Sequence, residues 1–454
     1  MLDGRFTNAP HVHRARAFLD SRAMARDPIA VFERHRSRLG ATFSVHFGGV
    51  KPTVITSDPG VIEHVLRGNR GNYEKSHIQV ERMVEFQGQG LVNIHGEAWL
   101  RQRRLLAQGF KPNHLTHLLP VQQDVLEDLL RDFDAEARQG PVDVHEQMVR
   151  FTLRLVGRSI FGRSMRREEL EQIGDTISAI QAFILRQIVQ PYGIPWFRAS
   201  GQTARHQRLR READAVVLRH IQARRAEGVG DTDLLRILLD ARYPDTGEAM
   251  PESLALVESL QLLVAGNETS SNALTWILYL LARHPDYAAQ IREEVETVIG
   301  DSPITFHNLH QLPATTRVID EALRLYPPFW MIDRIALADD EVAGVRIPRG
   351  TMVIPYIYGT HRNPAHWSDA ERFDPGRFEK EATEARHPFA YLPFGGGPRT
   401  CLGANMALMQ MLLIVVTFVR RYDFRPATAE PVGIQPMMLL RPRGAVALHF
   451  TARP

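Results

Sequence analysis

Cysteine is almost missing from this sequence: Cys401 is the single one in 454 residues. One thiol cannot close an intrachain disulfide, so the chain is no disulfide-stapled scaffold, and a reducing compartment, the cytoplasm, is the expectation. The 19 histidines include no His-x-x-x-His spacing, and there is no Cys-x-x-Cys, so the common zinc motifs are excluded. A Gly-x-x-x-x-Gly-Lys phosphate loop is absent, and no dinucleotide fingerprint follows a strand. Long apolar runs are missing too. Met1 to Pro10 is polar, and the most apolar stretch, Ala407 to Val419, falls short of the ~20 residues a span needs, so neither a secretory signal nor a membrane span is expected. No low-complexity tract, repeat or Pro/Gly/Ser linker divides the chain, which predicts one domain over 1–454. The net charge is +3 despite a pI near 9.1, with arginines and acids balanced along the chain, so nucleic-acid binding has no support.

What is present is a 44% hydrophobic composition, enough for a sizeable core, and a helix-dominated pattern. Apolar periodicity runs through Ile62–Leu66, Leu115–Phe133, Val149–Ile160, Ala213–Ala223 and the long segment Pro251–Arg283. Short strand-like pieces cluster near the ends: Thr42–Phe47 with Thr53–Ile55, Val342–Ile347 with Met352–Ile357 across a Pro348/Gly350 turn, and Met437–Leu440 with Val446–Phe450. The expected class is mainly α with a small β-rich lobe. Prolines at 251 and 285 bracket the long segment, whose helix would be about 50 Å long at ~1.5 Å per residue. At its middle stands Ala265-Gly266-Asn267-Glu268-Thr269-Ser270, where a glycine costs about 1 kcal/mol relative to alanine. Such a cost can reflect close packing, with Thr269 bonded to the Ala265 carbonyl, or room made for a ligand.

Cys401 lies in Pro393-Phe394-Gly395-Gly396-Gly397-Pro398-Arg399-Thr400-Cys401-Leu402-Gly403-Ala404, a glycine-rich loop running into an apolar helix. A thiolate there would meet the partial positive charge of a helix N-terminus, while glycines admit a flat group and backbone N–H groups. Phe394, Gly397, Arg399, Cys401 and Gly403 fit Phe-x-x-Gly-x-Arg-x-Cys-x-Gly, and this composition produces four such matches around a given cysteine roughly three times in 100,000. On this loop the chain resembles the cytochrome P-450 (haem-thiolate) family. The hexapeptide matches that family's oxygen-groove motif, and three more elements agree. Glu321-Ala322-Leu323-Arg324 stands with a later arginine, Arg377, in Phe373-Asp374-Pro375-Gly376-Arg377-Phe378, where Gly376 replaces the commoner glutamate. Trp99 and Arg103 stand at i,i+4 in Trp99-Leu100-Arg101-Gln102-Arg103-Arg104. Arg334 follows Pro327-Pro328.

The resemblance implies a single triangular helical fold, the cytochrome P-450 fold, with a β-rich lobe. It further implies haem b with Cys401 as the iron ligand, and Trp99, Arg103, Arg334 and Arg399 around the haem carboxylates. Ala265, Gly266, Phe394, Gly397 and Gly403 would line the cofactor, while Glu321, Arg324 and Arg377 would form a structural triad. Dioxygen would be the co-substrate. Reductive cleavage of its bond needs protons, which Glu268 would feed and the Thr269 hydroxyl would place. Thiolate ligation favours that cleavage over oxygen carriage. Since the resemblance consumes the chain from about Thr42 onward, no reductase is fused. Electrons would come from a ferredoxin or flavodoxin with an NAD(P)H-dependent reductase, for which Arg101 and Arg104 are candidate docking residues on a monomer. The expected reaction is hydroxylation or epoxidation of a hydrophobic small molecule, such as a fatty acid, terpenoid, steroid or polyketide. By family analogy its pocket draws on Tyr73–Val92, Ile180–Trp196, Phe329–Ile332 and Gln435–Leu439. A peroxide-driven peroxygenase is the alternative, disfavoured by the Glu268/Thr269 pair, and a non-catalytic haem sensor is the remote one.

Overall fold

The computed structural model describes residues 5–47, 50–227 and 233–453, without the side chains of 77–79, 82, 189 and 191. The chain packs as two compact units, one of Met1–Ser76, Thr316–Cys401 and Val432–Arg443, the other of His77–Thr315, Leu402–Pro431 and Gly444–Pro454.

The first unit is built on a five-stranded sheet in the order Thr42–Phe47, Lys51–Thr56, Met352–Pro355, Arg334–Ala336, Tyr73–Glu74. Its first pair is antiparallel with Phe43 opposite Ile55, and the second is parallel with Val54 opposite Val353. Helix Pro28–Leu39 packs Phe32 on Trp330 and Tyr356, with ring centroids 5.9 and 5.1 Å away. The hairpin expected between 342–347 and 352–357 does not form. Ala343 and Gly344, at φ 50° and 74°, fold Asp340–Val342 back on Val345–Ile347, which leaves Met352–Pro355 to join the main sheet. The expected 437–440/446–450 pair also differs. Ile434–Pro436 pairs with Leu440–Pro442, whereas Ala447–Ala452 lies in the other unit between Tyr422–Pro426 and Val142–Asp143.

The second unit is helical. Val144–Phe161 and Gln202–Glu227 pack on the long helix Glu252–Arg283, with Pro112–Ala137 against the first of them and Arg167–Val189 against both; the long helix runs about 48 Å at ~1.5 Å per residue and stops at His284, before Pro285. Ala404–Arg421, the one helix among the described residues long and apolar enough to suit a span, has 61% of its length buried and packs on the long helix, Pro285–Val298 and Pro112–Ala137. Its Phe418 joins Phe133, Phe151, Tyr422 and Phe450 in an aromatic cluster whose closest pair, Phe133 and Phe450, has centroids 4.9 Å apart. Burying such rings contributes roughly 25 cal/mol per Å² and accounts for the helix's apolarity without a membrane.

Candidate active site

In the first unit the cysteine loop is shaped by backbone demands. Gly395 and Gly397 take φ 75° and 67°, which L side chains resist by about 1–2 kcal/mol. At Gly397 there is a second demand: a Cβ there would stand 2.1 Å from the Leu66 carbonyl oxygen, in the π-helical turn His64–Gly68. Cys401 N–H donates to Phe394 O at 2.9 Å, closing the loop and leaving the thiol exposed. The following helix begins at Ala404 with Gly403 as its cap, at an ordinary φ of −90° where a Cβ would make normal contact with Phe110. Nothing local therefore obliges residue 403 to be glycine.

Behind the loop sits a buried ionic network. Glu321 and Arg324 are both 0% exposed and form a bidentate pair at 2.6 and 2.8 Å. Arg377 Nε lies 3.5 Å from Glu321, and Arg377 also donates to the carbonyls of Ser368 and Asp369 at 2.5 and 2.8 Å. Glu321 accepts from Asp374 N–H at 2.9 Å, and Arg324 donates to His361 O and Ala370 O at 2.9 and 2.7 Å. Gly376 in place of the commoner glutamate leaves this arrangement intact. His361 extends it to Leu392, at the start of the cysteine loop. Its Nδ1 faces Arg324 O at 3.1 Å and its Nε2 faces Leu392 N–H at 2.8 Å, which assigns a neutral ring donating through Nδ1. Burial first, then the Arg324 charge, holds its pKa down at about 3, so it stays neutral throughout the physiological range.

The same unit gathers cations. Arg334 is buried at 8% exposure, with its Nη1 donating to Asp333 O at 2.7 Å. Lys75 is pushed down to about 7 by burial and by the charges of Arg334 and Arg399, against which Asp333 acts. An excess of positive charge in a desolvated place fits a ligand that carries carboxylates.

In the second unit the long helix presents the hexapeptide. Ala265 is exposed on an otherwise largely buried helix, and Thr269 Oγ1 donates to Ala265 O at 2.6 Å. That bond uses the hydroxyl's proton and leaves its oxygen able to accept. Gly266 has a packing reason, since a Cβ there would press on both Val156 methyls at 3.1 Å. Beside it Asn267 is buried, with Oδ1 accepting from Thr152 Oγ1 at 2.7 Å, so helix Val144–Phe161 holds this turn from behind. Glu268 is partly exposed. On helix Gly96–Leu106 the Arg103 guanidinium lies 5.6 Å from the Trp99 ring centroid, so the two act as one polar corner. Arg101 is committed elsewhere, 3.1 Å from Asp245 and stacked 3.9 Å over Tyr243, which leaves Arg104 as the more exposed docking candidate.

The four pocket segments meet two by two. Phe86 and Phe183 stand 5.6 Å apart edge to face, and Phe86 lines a small recess whose apolar walls include Ile177, Ile180, Leu260 and Val264. Trp330 Nε1 donates to Met437 O at 2.9 Å, joining the Phe329–Ile332 and Gln435–Leu439 segments.

The family model of cytochrome P450 matches residues 18–449. The chain belongs to the cytochrome P450 family. Among its relatives, the Mycobacterium tuberculosis protein that carries the designation cytochrome P450 132 is 32% identical over 87% of this chain and 86% of its own length. The cyclooctat-9-en-7-ol 5-monooxygenase of Streptomyces melanosporofaciens is 28% identical over 83% of this chain and 81% of its own. The crystal structure of the cytochrome P450DA haem domain superposes with a TM-score of 0.87, at 24% identity and 98% coverage of both chains, so this P450 has the P450 fold, mainly α with small sheets. As a P450 it is a monooxygenase, and its family uses haem and dioxygen. The residues fit that cofactor: an exposed thiol on a loop free of large side chains at 395–397, with a cation excess in the same unit. Sequence reasoning missed Lys75 and His361. One signal marked the first, since only four of the 55 basic residues are lysines.

Proposed function

We propose that the chain is a single-domain haem b monooxygenase in which Cys401 is the iron ligand and a hydrophobic small molecule is oxidised with electrons from a separate ferredoxin or flavodoxin. The observation that carries this reading is the Cys401 thiol, exposed at the end of a loop whose glycines are required by φ and by the Leu66 carbonyl. The bound haem would supply dioxygen activation. This chain's residues would do the rest. Arg334, Arg399 and Lys75, together with Trp99 and Arg103, would bind the cofactor's carboxylates. Thr269 Oγ1, whose own proton goes to Ala265 O, would accept a hydrogen bond and so place the proton-bearing group, and Glu268 would renew that proton from solvent. The apolar side chains of the recess, Phe86, Ile177, Ile180, Leu260 and Val264, are the support for an apolar substrate.

The deciding experiment is the spectrum of the reduced, carbon-monoxide-treated protein. Wild type should show the red-shifted band from which the family takes its name, and Cys401→Ala should lose it. A variant that keeps the band removes Cys401 as ligand. Thr269→Ala should keep the band yet divert electrons to peroxide, and unchanged product per electron would withdraw the proton-placing role.

A further inference from the structure

The segment after helix His77–Gln87 lies against the long helix within the second unit, and the contact is made by backbone. Glu258, 1% exposed, accepts from Leu91 N–H at 2.8 Å and from Gln102 Nε2 at 3.1 Å. One turn on, Gln261 accepts from Val92 N–H at 3.1 Å and donates to Gly88 O at 3.3 Å. Two glycines permit the approach. A Cβ on Gly88 would stand 2.8 Å from Val257 Cγ2, and one on Gly90 would stand 2.7 Å from Gln261 Oε1 and 2.9 Å from Val257 Cγ1. Ala265 and Thr269 follow Glu258 at i+7 and i+11, so at about 3.6 residues per turn all three share one helix face.

The groups facing Glu258 are few. Gln102 is neutral and accepts from Tyr243 OH at 3.0 Å, and beyond Tyr243 stands Arg101, 3.9 Å over its ring and paired with Asp245 at 3.1 Å. We propose that Glu258 and Gln261 are positioning residues that clamp residues 88–92 over the face of the long helix carrying Ala265 and Thr269, and that the charge on Glu258 sets how readily this segment lifts. Burial outweighs the two N–H bonds and raises the Glu258 pKa from 4.5 to about 7. Lifting the segment returns the carboxyl to water and to its ordinary value. Between those two values opening therefore releases one proton to solvent, so opening grows as pH rises and levels off above about 7. That lifting admits substrate rests on the monooxygenase reading; the clamp itself does not.

The test is hydrogen exchange of the haem-loaded full chain, followed in peptides covering 88–94 and corrected for intrinsic rates. Opening at Leu91 and Val92 should rise about tenfold per pH unit from pH 5 to pH 7 and flatten by pH 8. Glu258→Gln should remove the slope. Gly90→Ala should raise opening about tenfold at every pH while keeping it, because its methyl group dislodges Gln261. A flat wild-type profile, a slope that survives in Glu258→Gln, or unchanged exchange in Gly90→Ala overturns the proposal, and the wild-type and Gly90→Ala arms decide even if Glu258→Gln does not fold. Loss of the carbonyl band would count against the monooxygenase reading alone, since the exchange slope needs no turnover.

Discussion

The cysteine-bearing unit and the unit of the long helix solve the same problem, holding a reactive group still, by opposite means. In the irregular stretch 361–392 that leads into the cysteine loop, backbone polar groups need partners one by one, and Glu321, Arg324, Arg377 and His361 supply them. Around Ala265 and Thr269 the helix satisfies its own backbone, and position is set by apolar fit at Val156 and by the buried Thr152 hydroxyl, which faces both Oδ1 and the carbonyl of Asn267 at 2.7 and 3.1 Å. Irregular structure is therefore held by charge and helical structure by volume. Substitutions of equal size should have unequal costs in the two places.

The largest expected effect is Gly397→Ala, which sets a methyl group against a main-chain carbonyl 2.1 Å away. We expect cofactor loss and a stability drop of about 4 kcal/mol or more, read from the carbonyl spectrum and urea unfolding; a stable, haem-loaded variant would break the contrast. Next comes Glu321→Gln, which strands the Arg324 charge in a fully buried place and should cost about 3–5 kcal/mol in the same unfolding experiment. A cost below 1 kcal/mol would mean the network is ornamental.

His361 gives a smaller, pH-dependent effect. Its folded pKa lies at about 3 against an ordinary 6.5, so its contribution is complete above pH 6.5 and is lost as pH falls from 6.5 toward 3. Wild-type stability should decline by up to ~1.4 kcal/mol per pH unit between pH 6 and pH 4 from this group, and His361→Gln should show the shallower slope. Equal slopes would assign the acid sensitivity elsewhere. Smallest of all is Gly266→Ala, where about 1 kcal/mol of helix propensity gained offsets the crowding of Val156. Its net cost should stay under about 1 kcal/mol and vanish in the double variant with Val156→Ala, as a double-mutant cycle would show.

The same contrast governs what could be read from the chain beforehand. The cysteine loop and the hexapeptide are contiguous, so the first stood out by spacing and the second by its match to a motif of the family that the first resembles, and the long helix announced itself by its periodicity and flanking prolines. The class, mainly α with small sheets, followed from the same patterns. What escaped was non-local. His361 is bonded to partners 37 and 31 residues away, and no neighbour distinguishes it among 19 histidines. Strand partners were mispaired for a similar reason: Met352–Pro355 looked like the return of a hairpin, yet its parallel partner is Lys51–Thr56. Gly266 admitted two readings, close packing or room for a ligand, and the packing partner, Val156, comes from another helix that the sequence could not place beside it.

The abutment of Gly397 on Leu66 has a consequence for how this protein can change. A clash between two side chains can be relieved by trimming either one, so most core positions admit second-site suppressors. At residue 397 the opposing surface is a peptide carbonyl, which every amino acid shares, and no replacement of Leu66 can retract it. Selection for activity after random mutagenesis of Gly397→Ala should therefore return reversion, and suppressors only through insertions or deletions that re-route the turn at 64–68.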